Sequence, residues 1–335
     1  MPDTTVRRIV VVGSASRLGE RVVARLRDAG VEPVGIDRRA RPGVVDVVGD
    51  VDDLDLKPRL HGAACVVHLA GPLALGAVLD AAADASVGHV VVASSATVYG
   101  AWPDNPVPLT EDVPLRPNPG FVFAARAAEG ERRAAEWRDG HPDATVAVLR
   151  FVPVLLPGGE TWLSETLARP SLLRPADLLP PVQVLHVEDA AAAVAHAAMA
   201  GLDGTFNVAP ETSVPGDTAR ALSAAGIPLP LPERAAAIAE RWAWRLRVGG
   251  VPRPAEPYRQ HPWVVASDRL RATGWSPSYS AEEALVACRK GSRWRELSPK
   301  RRQEAALGVV GALGLVVVAA VAVAVRGKVR ASRRA

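Results

Sequence analysis

One stretch near the start limits what this chain can become. A β-branched run, Arg8–Val12, enters a glycine turn and then a helical pattern. Gly13-Ser14-Ala15-Ser16-Arg17-Leu18-Gly19 forms the turn, and the helical pattern ends at Gly30. Further strands are predicted over residues 33–37, 44–49, 64–69 and 89–93. Helices are predicted over 75–85 and 124–138, and a strand over 145–150. Strands alternating with helices imply an α/β fold, a Rossmann-type doubly wound parallel sheet with helices on both faces. From residue 151 Pro-rich loops separate shorter segments. Strands over 182–187 and 206–209 return around a helix over 190–200. Residues 1–150 thus read as a dinucleotide-binding domain, and 151–290 as a mixed region that completes the sheet and forms a small substrate lobe.

The turn's setting gives it chemical content. Gly13 allows the tight turn and Gly19 close packing of helix on strand. The helix N-terminus then presents free N–H groups and a positive dipole end to a pyrophosphate. Asp37 closes the second strand 18 residues beyond Gly19, placed to accept the ribose hydroxyls of an adenosine. A carboxylate there repels a 2′-phosphate, which favours NAD, with NADP kept as the alternative by Arg38 and Arg39. Asp50, after the third strand, is a natural partner for the adenine amino group.

With these motifs in order, the chain resembles the extended short-chain dehydrogenase/reductases, the NAD-dependent epimerase/dehydratase family. Gly13-x-x-Ser16-x-x-Gly19 is similar to the family's glycine motif with its middle glycine replaced. Val66-Val67-His68-Leu69-Ala70 resembles the strand-four signature, which adds Leu69 and Ala70 to the cofactor contacts. Ser94-Ser95-Ala96-Thr97-Val98-Tyr99-Gly100 matches the segment carrying the catalytic Ser/Thr, which falls on Ser95. Leu149-Arg150, His186-Val187-Glu188-Asp189, residues 204–209 and residues 270–277 follow the family's later segments.

The resemblance implies a Tyr that passes the substrate proton, a Lys four residues on and a helix Glu. Setting Glu129 as that Glu puts Phe121 at Tyr and Ala125 at Lys; sliding by one puts Val122 and Arg126 there. Neither register holds a phenol, and Phe relays no proton. The only three tyrosines are Tyr99, Tyr258 and Tyr279, and no Lys lies between Lys57 and Lys290. Ser16 adds a side chain where a pyrophosphate would approach, and residues 70–93 are short for the Asn-bearing segment that supports the Lys.

The net charge of +4 hides an asymmetry. After residue 288 there are twelve Lys/Arg and two Glu, a net of +10, so the body carries −6. An acidic body argues against nucleic acid. Cys65 and Cys288 provide neither a disulfide framework nor a zinc site, and no metal site is read. Residues 305–325 are uncharged and long enough to span the roughly 30 Å hydrocarbon core. They predict a single membrane helix between a polar linker at 291–304 and a basic tail at 326–335. The first twelve residues lack an apolar leader run, so the body is placed in the cytoplasm. Gly308, Gly311 and Gly314 hint at self-association.

Two functions follow from these readings. One is a membrane-anchored NAD-binding protein of impaired catalysis, acting as a sensor, scaffold or subunit of a membrane enzyme. The other is an oxidoreductase, epimerase or dehydratase on a nucleotide-sugar, lipid-linked sugar or sterol-like alcohol. In that case Ser95 holds the substrate oxygen, and water, His68 or a substrate group replaces the phenol.

Overall fold

The computed structural model describes residues 7–157, 162–223, 228–246 and 251–288. Its centre is a seven-stranded, all-parallel sheet in the order β3-β2-β1-β4-β5-β6-β9. These strands are β1 (Arg8–Val12), β2 (Glu32–Asp37), β3 (Val47–Val48), β4 (Cys65–His68), β5 (His89–Ser95), β6 (Thr145–Phe151) and β9 (Gly204–Val208). A second, two-stranded sheet joins β7 (Val154–Leu155) to β8 (Leu185–His186). The crossovers β1 to β2 and β4 to β5 run through α1 (Arg17–Asp28) and α3 (Leu75–Asp84), and α2 (Lys57–Leu60) precedes β4. The connection from β5 to β6 contains α4 (Val122–Gly140), and α6 (Val187–Ala200) precedes β9.

The sequence dictates this layering. Val10, Val11, Val12, Val66, Val67, Val90 and Val91 are wholly buried, as strands covered on both faces require. One cluster lies beneath α1 and α6, where Val22, Leu26, Ala190 and Val194 meet Val11, Val67 and Val91. The other lies beneath α3 and α4, where Val78, Ala82, Ala134 and Trp137 meet Val10, Val66 and Val90. The α6 side facing the first of these clusters is mostly alanine, with Ala190, Ala191, Ala193 and Ala197 fully buried.

The third strand is shorter than the 44–49 expected. Gly43 at φ +73° and the turn bonds from Val44 and Val45 to Arg41 take up the first residues. The region after 151 supplies α5 (Trp162–Ala168), α7 (Gly216–Ser223), α8 (Glu233–Arg245), α9 (Asp268–Arg271) and α10 (Ala281–Ala287). Buried Asp189, at the start of α6, accepts the N–H groups of Ser278 and Tyr279 and ties the late segment down. Among the described residues no helix is long and apolar enough to cross a membrane. The expected span at 305–325, with its linker and tail, lies outside the described residues.

Candidate active site

In the sheet order, the connections from β1 and β4 leave in opposite directions, and a crevice opens beyond their C-terminal ends. A cleft of about 560 Å³ lies there. Ser16, Arg17 and Leu18 line one end, and Ser94, Ser95, Phe123 and Glu131 line another part of the wall.

The glycine turn is built as the sequence implies. Gly13 has φ +89°, and a Cβ on it would sit 2.8 Å from the Ala70 nitrogen and 2.9 Å from the Leu69 carbonyl carbon. A Cβ on Gly19 would sit 2.4 Å from the Gly13 oxygen, so α1 starts pressed against the turn. Ser16 lines the cleft with its hydroxyl engaged by the turn. Its hydroxyl donates to the Gly13 carbonyl at 2.8 Å and accepts from Gly19 N at 2.9 Å, which makes it the N-cap of α1. The N–H groups of Arg17 and Leu18 lie in the first turn, where a helix offers no acceptor.

Asp37 is buried at the end of β2, where Oδ2 accepts from Ala15 N and Oδ1 from Arg39 N. Each oxygen keeps a second lone pair. The Arg39 side chain stands 3.7 Å from Asp37 and lines the cleft mouth. Asp50 is exposed beyond β3, away from the cleft lining. Leu69 is on the lining, whereas Ala70 meets the site through its backbone packing on Gly13.

The far wall departs from both expected registers. Phe121 is 4% exposed and packs on Tyr258, with ring centroids 5.1 Å apart. Val122, Ala125 and Arg126 are exposed, and none of the four lines the cleft. The face of α4 that does line it carries Phe123, Ala127, Gly130 and Glu131. Burial decides the register. Glu129 is an outward residue held by Arg132 and Arg133, whereas Glu131 is buried against Arg150. Counting back from Glu131 gives Phe123 and Ala127, again without a phenol or an amine.

Glu131 belongs to a buried polar chain that sequence reasoning missed. Ser94 Oγ donates to its Oε1, and Arg150 donates through Nε and Nη2, the latter at 2.6 Å. Arg150 Nη1 also reaches the Tyr99 hydroxyl at 2.6 Å, and Tyr99 in turn donates to Asn207 Oδ1 at 2.8 Å. Burial works against the Arg150 charge, but the hydrogen bonds and charge of Glu131 outweigh it and leave its pKa raised. No local signal could have found Glu131, because Phe121 precedes Glu129 by the same eight residues that separate Phe123 from Glu131.

Ser95 lines the cleft, and its oxygen accepts from Thr97 N and Thr97 Oγ1. That leaves the Ser95 proton for a donor role towards the cleft. His68 donates from Nε2 to the Gly71 carbonyl at 2.7 Å. Burial lowers its pKa, opposed by that bond, and its Nδ1 has no hydrogen-bond partner. Among the described residues no cluster of ligands suits a metal ion.

Sheet order, glycine turn and cleft together define a doubly wound α/β fold with a crevice at the C-terminal ends of its strands. Within that class, residues 73–209 match the NAD dependent epimerase/dehydratase family. The fold is shared with a solved UDP-glucose 4-epimerase of Thermus thermophilus in complex with NAD, at TM-score 0.65 and 20% identity. That likeness covers 84% of this chain and 97% of the other. An uncharacterised protein of Mycobacterium tuberculosis is 35% identical over 197 residues, 57% of this chain and 51% of its own length. A UDP-glucose 4-epimerase of Azospirillum brasilense is 33% identical over 138 residues, 33% of this chain and 39% of that one. The chain thus spans about half or less of the length of the curated relatives it matches. The fold is the one expected from the motifs, and the sequence match to the family covers residues 73–209.

Proposed function

We propose that this chain is a membrane-tethered, NAD-binding member of the epimerase/dehydratase family whose proton-relay pair has been lost. It acts as a dinucleotide-dependent sensor, scaffold or subunit beside a membrane enzyme. The observation that carries this reading is the cleft-facing wall of α4. Phe123 and Ala127 stand eight and four residues before buried Glu131, in the places the resemblance gives to Tyr and Lys.

The residues present fit NAD. The Gly13–Gly19 turn and the first N–H groups of α1 would meet the pyrophosphate, and Asp37 the adenosine ribose. When bound, NAD supplies hydride acceptance and return; the chain's own residues would orient it and exclude water. Arg39 at the mouth keeps a 2′-phosphate in play, so NADP belongs in the same titration. Residues 305–325 supply the tether, with the body on the cytoplasmic side.

Titrating the full chain with NAD, NADH and NADP tests this. Expected are saturable NAD binding, its loss in Asp37→Ala, its retention in Ser95→Ala, and no steady turnover of UDP-glucose. Absence of binding by every dinucleotide would leave only a structural scaffold.

A second reading, an active oxidoreductase or epimerase on a sugar- or lipid-type alcohol, draws support from Ser94, Ser95 and Glu131 on one wall. Lost acid–base help costs about 10²–10⁴-fold in rate, so slow turnover is compatible with it. Sustained nicotinamide reduction that Ser95→Ala abolishes would establish the second reading over the first.

A further inference from the structure

Helix α8 is folded inside out. Its inward side buries a carboxylate: Glu240 is 6% exposed, 3.6 Å from Arg174 Nε and 3.9 Å from Arg259 Nη2. Ala236, one turn earlier, is buried beside it. The outward side shows Ile238, Trp242 and Leu246, which are 53%, 58% and 65% exposed. Their four-residue spacing places them in one stripe along the helix. Arg234, Arg241 and Arg245 run along one flank of that stripe. A helix on a water-facing surface normally turns its apolar stripe inward.

We infer that this face of α8 lies on an anionic bilayer surface, with the stripe at the acyl boundary and the arginines among lipid headgroups. Apolar and aromatic residues flanked by Arg are the composition of interfacial helices. Charge complementarity selects the lipid surface. The body as a whole carries −6, yet the exposed charges of α8 are three Arg against Glu233, with Arg241 4.0 Å from Glu256. The inference rests in part on the tether proposed above, because the uncharged run at 305–325 would hold the body within reach of a membrane.

The test uses the full chain carrying Ile238→Cys labelled with an environment-sensitive fluorophore. Cys65 and Cys288 are 2% and 1% exposed and so are shielded from the reagent. The labelled chain is floated with vesicles of phosphatidylcholine and phosphatidylglycerol that contain headgroup-proximal spin-labelled lipid. Expected are a blue-shifted emission and quenching by that lipid. Arg241→Gln and Arg245→Gln should each weaken the contact about fivefold, and pure phosphatidylcholine should weaken it further.

Aqueous emission from a chain that floats and resists high salt overturns the inference while the tether stands. Blue-shifted but unquenched emission also overturns it, because protein then covers the face, either the chain's own apolar run or a second copy. Quenching that high salt strips away supports the inference and removes the tether. No flotation at all defeats both.

Discussion

Glu131 and Glu129 differ only in what their side chains meet, and that difference sets the chemistry of the cleft. Two acids two positions apart on one helix are equivalent to a reader of sequence, because the deciding partner, Arg150, lies 19 residues away on β6. The pair is buried on both sides, so breaking it leaves an uncompensated charge. Glu131→Ala should cost about 3–5 kcal/mol in denaturant unfolding, whereas the double variant Glu131→Met/Arg150→Met should recover much of that. Equal loss in the single and double variants would show that the network contributes by more than pairing. Ser16 teaches the same lesson in reverse. Its side chain was expected only to alter the approach of a pyrophosphate, and its hydroxyl also caps the helix, as Ser is prone to do before a first turn.

Among elements, those with a strong period were legible and those held by distant partners were not. The five strands of the first 100 residues and helices α1, α3 and α4 follow from β-branched runs and apolar spacing. The short helices after 151 depend on contacts such as Asp189 with Ser278 and Tyr279, which no local pattern announces. Strand β5 also carries a titration. His89 is buried at its start, donating from Nε2 to the Ala197 carbonyl on α6 and bonded through Nδ1 to Thr145. Burial lowers its pKa, outweighing those bonds and the nearby Asp203. A base with a lowered folded pKa refuses a proton that the unfolded chain accepts near pH 6.5. Stability is therefore full above that value and falls as the pH drops towards the folded pKa. The loss is up to about 1.4 kcal/mol per pH unit for each such imidazole. His68 adds to the effect in the same direction. Denaturant midpoints taken above and below this window should separate, and His89→Gln should shrink the separation by about one imidazole's share.

At the scale of the whole molecule, the expected boundary at residue 150 meets a sheet that is continuous across it. Strand β9 pairs with β6 from Ala147↔Gly204 to Phe151↔Val208, and α6 covers the same face of the sheet as α1. A fragment ending at residue 150 would expose the β6 edge and the apolar floor beneath α6. It should lack a cooperative thermal transition, while the chain to residue 288 should show one by circular dichroism. The return of a strand over 206–209 to complete the sheet was legible in the sequence, whereas the spatial order of the strands and the pairing of β9 with β6 needed the fold. The two thiols gain a use from this arrangement. Cys65 opens β4, the central strand of the sheet, paired with Ile9 of β1, and Cys288 closes the small cluster where α10 meets α7. A pulse of alkylating reagent therefore keeps two clocks on one chain, one started by fraying of the late cluster and the other only when the central sheet comes apart.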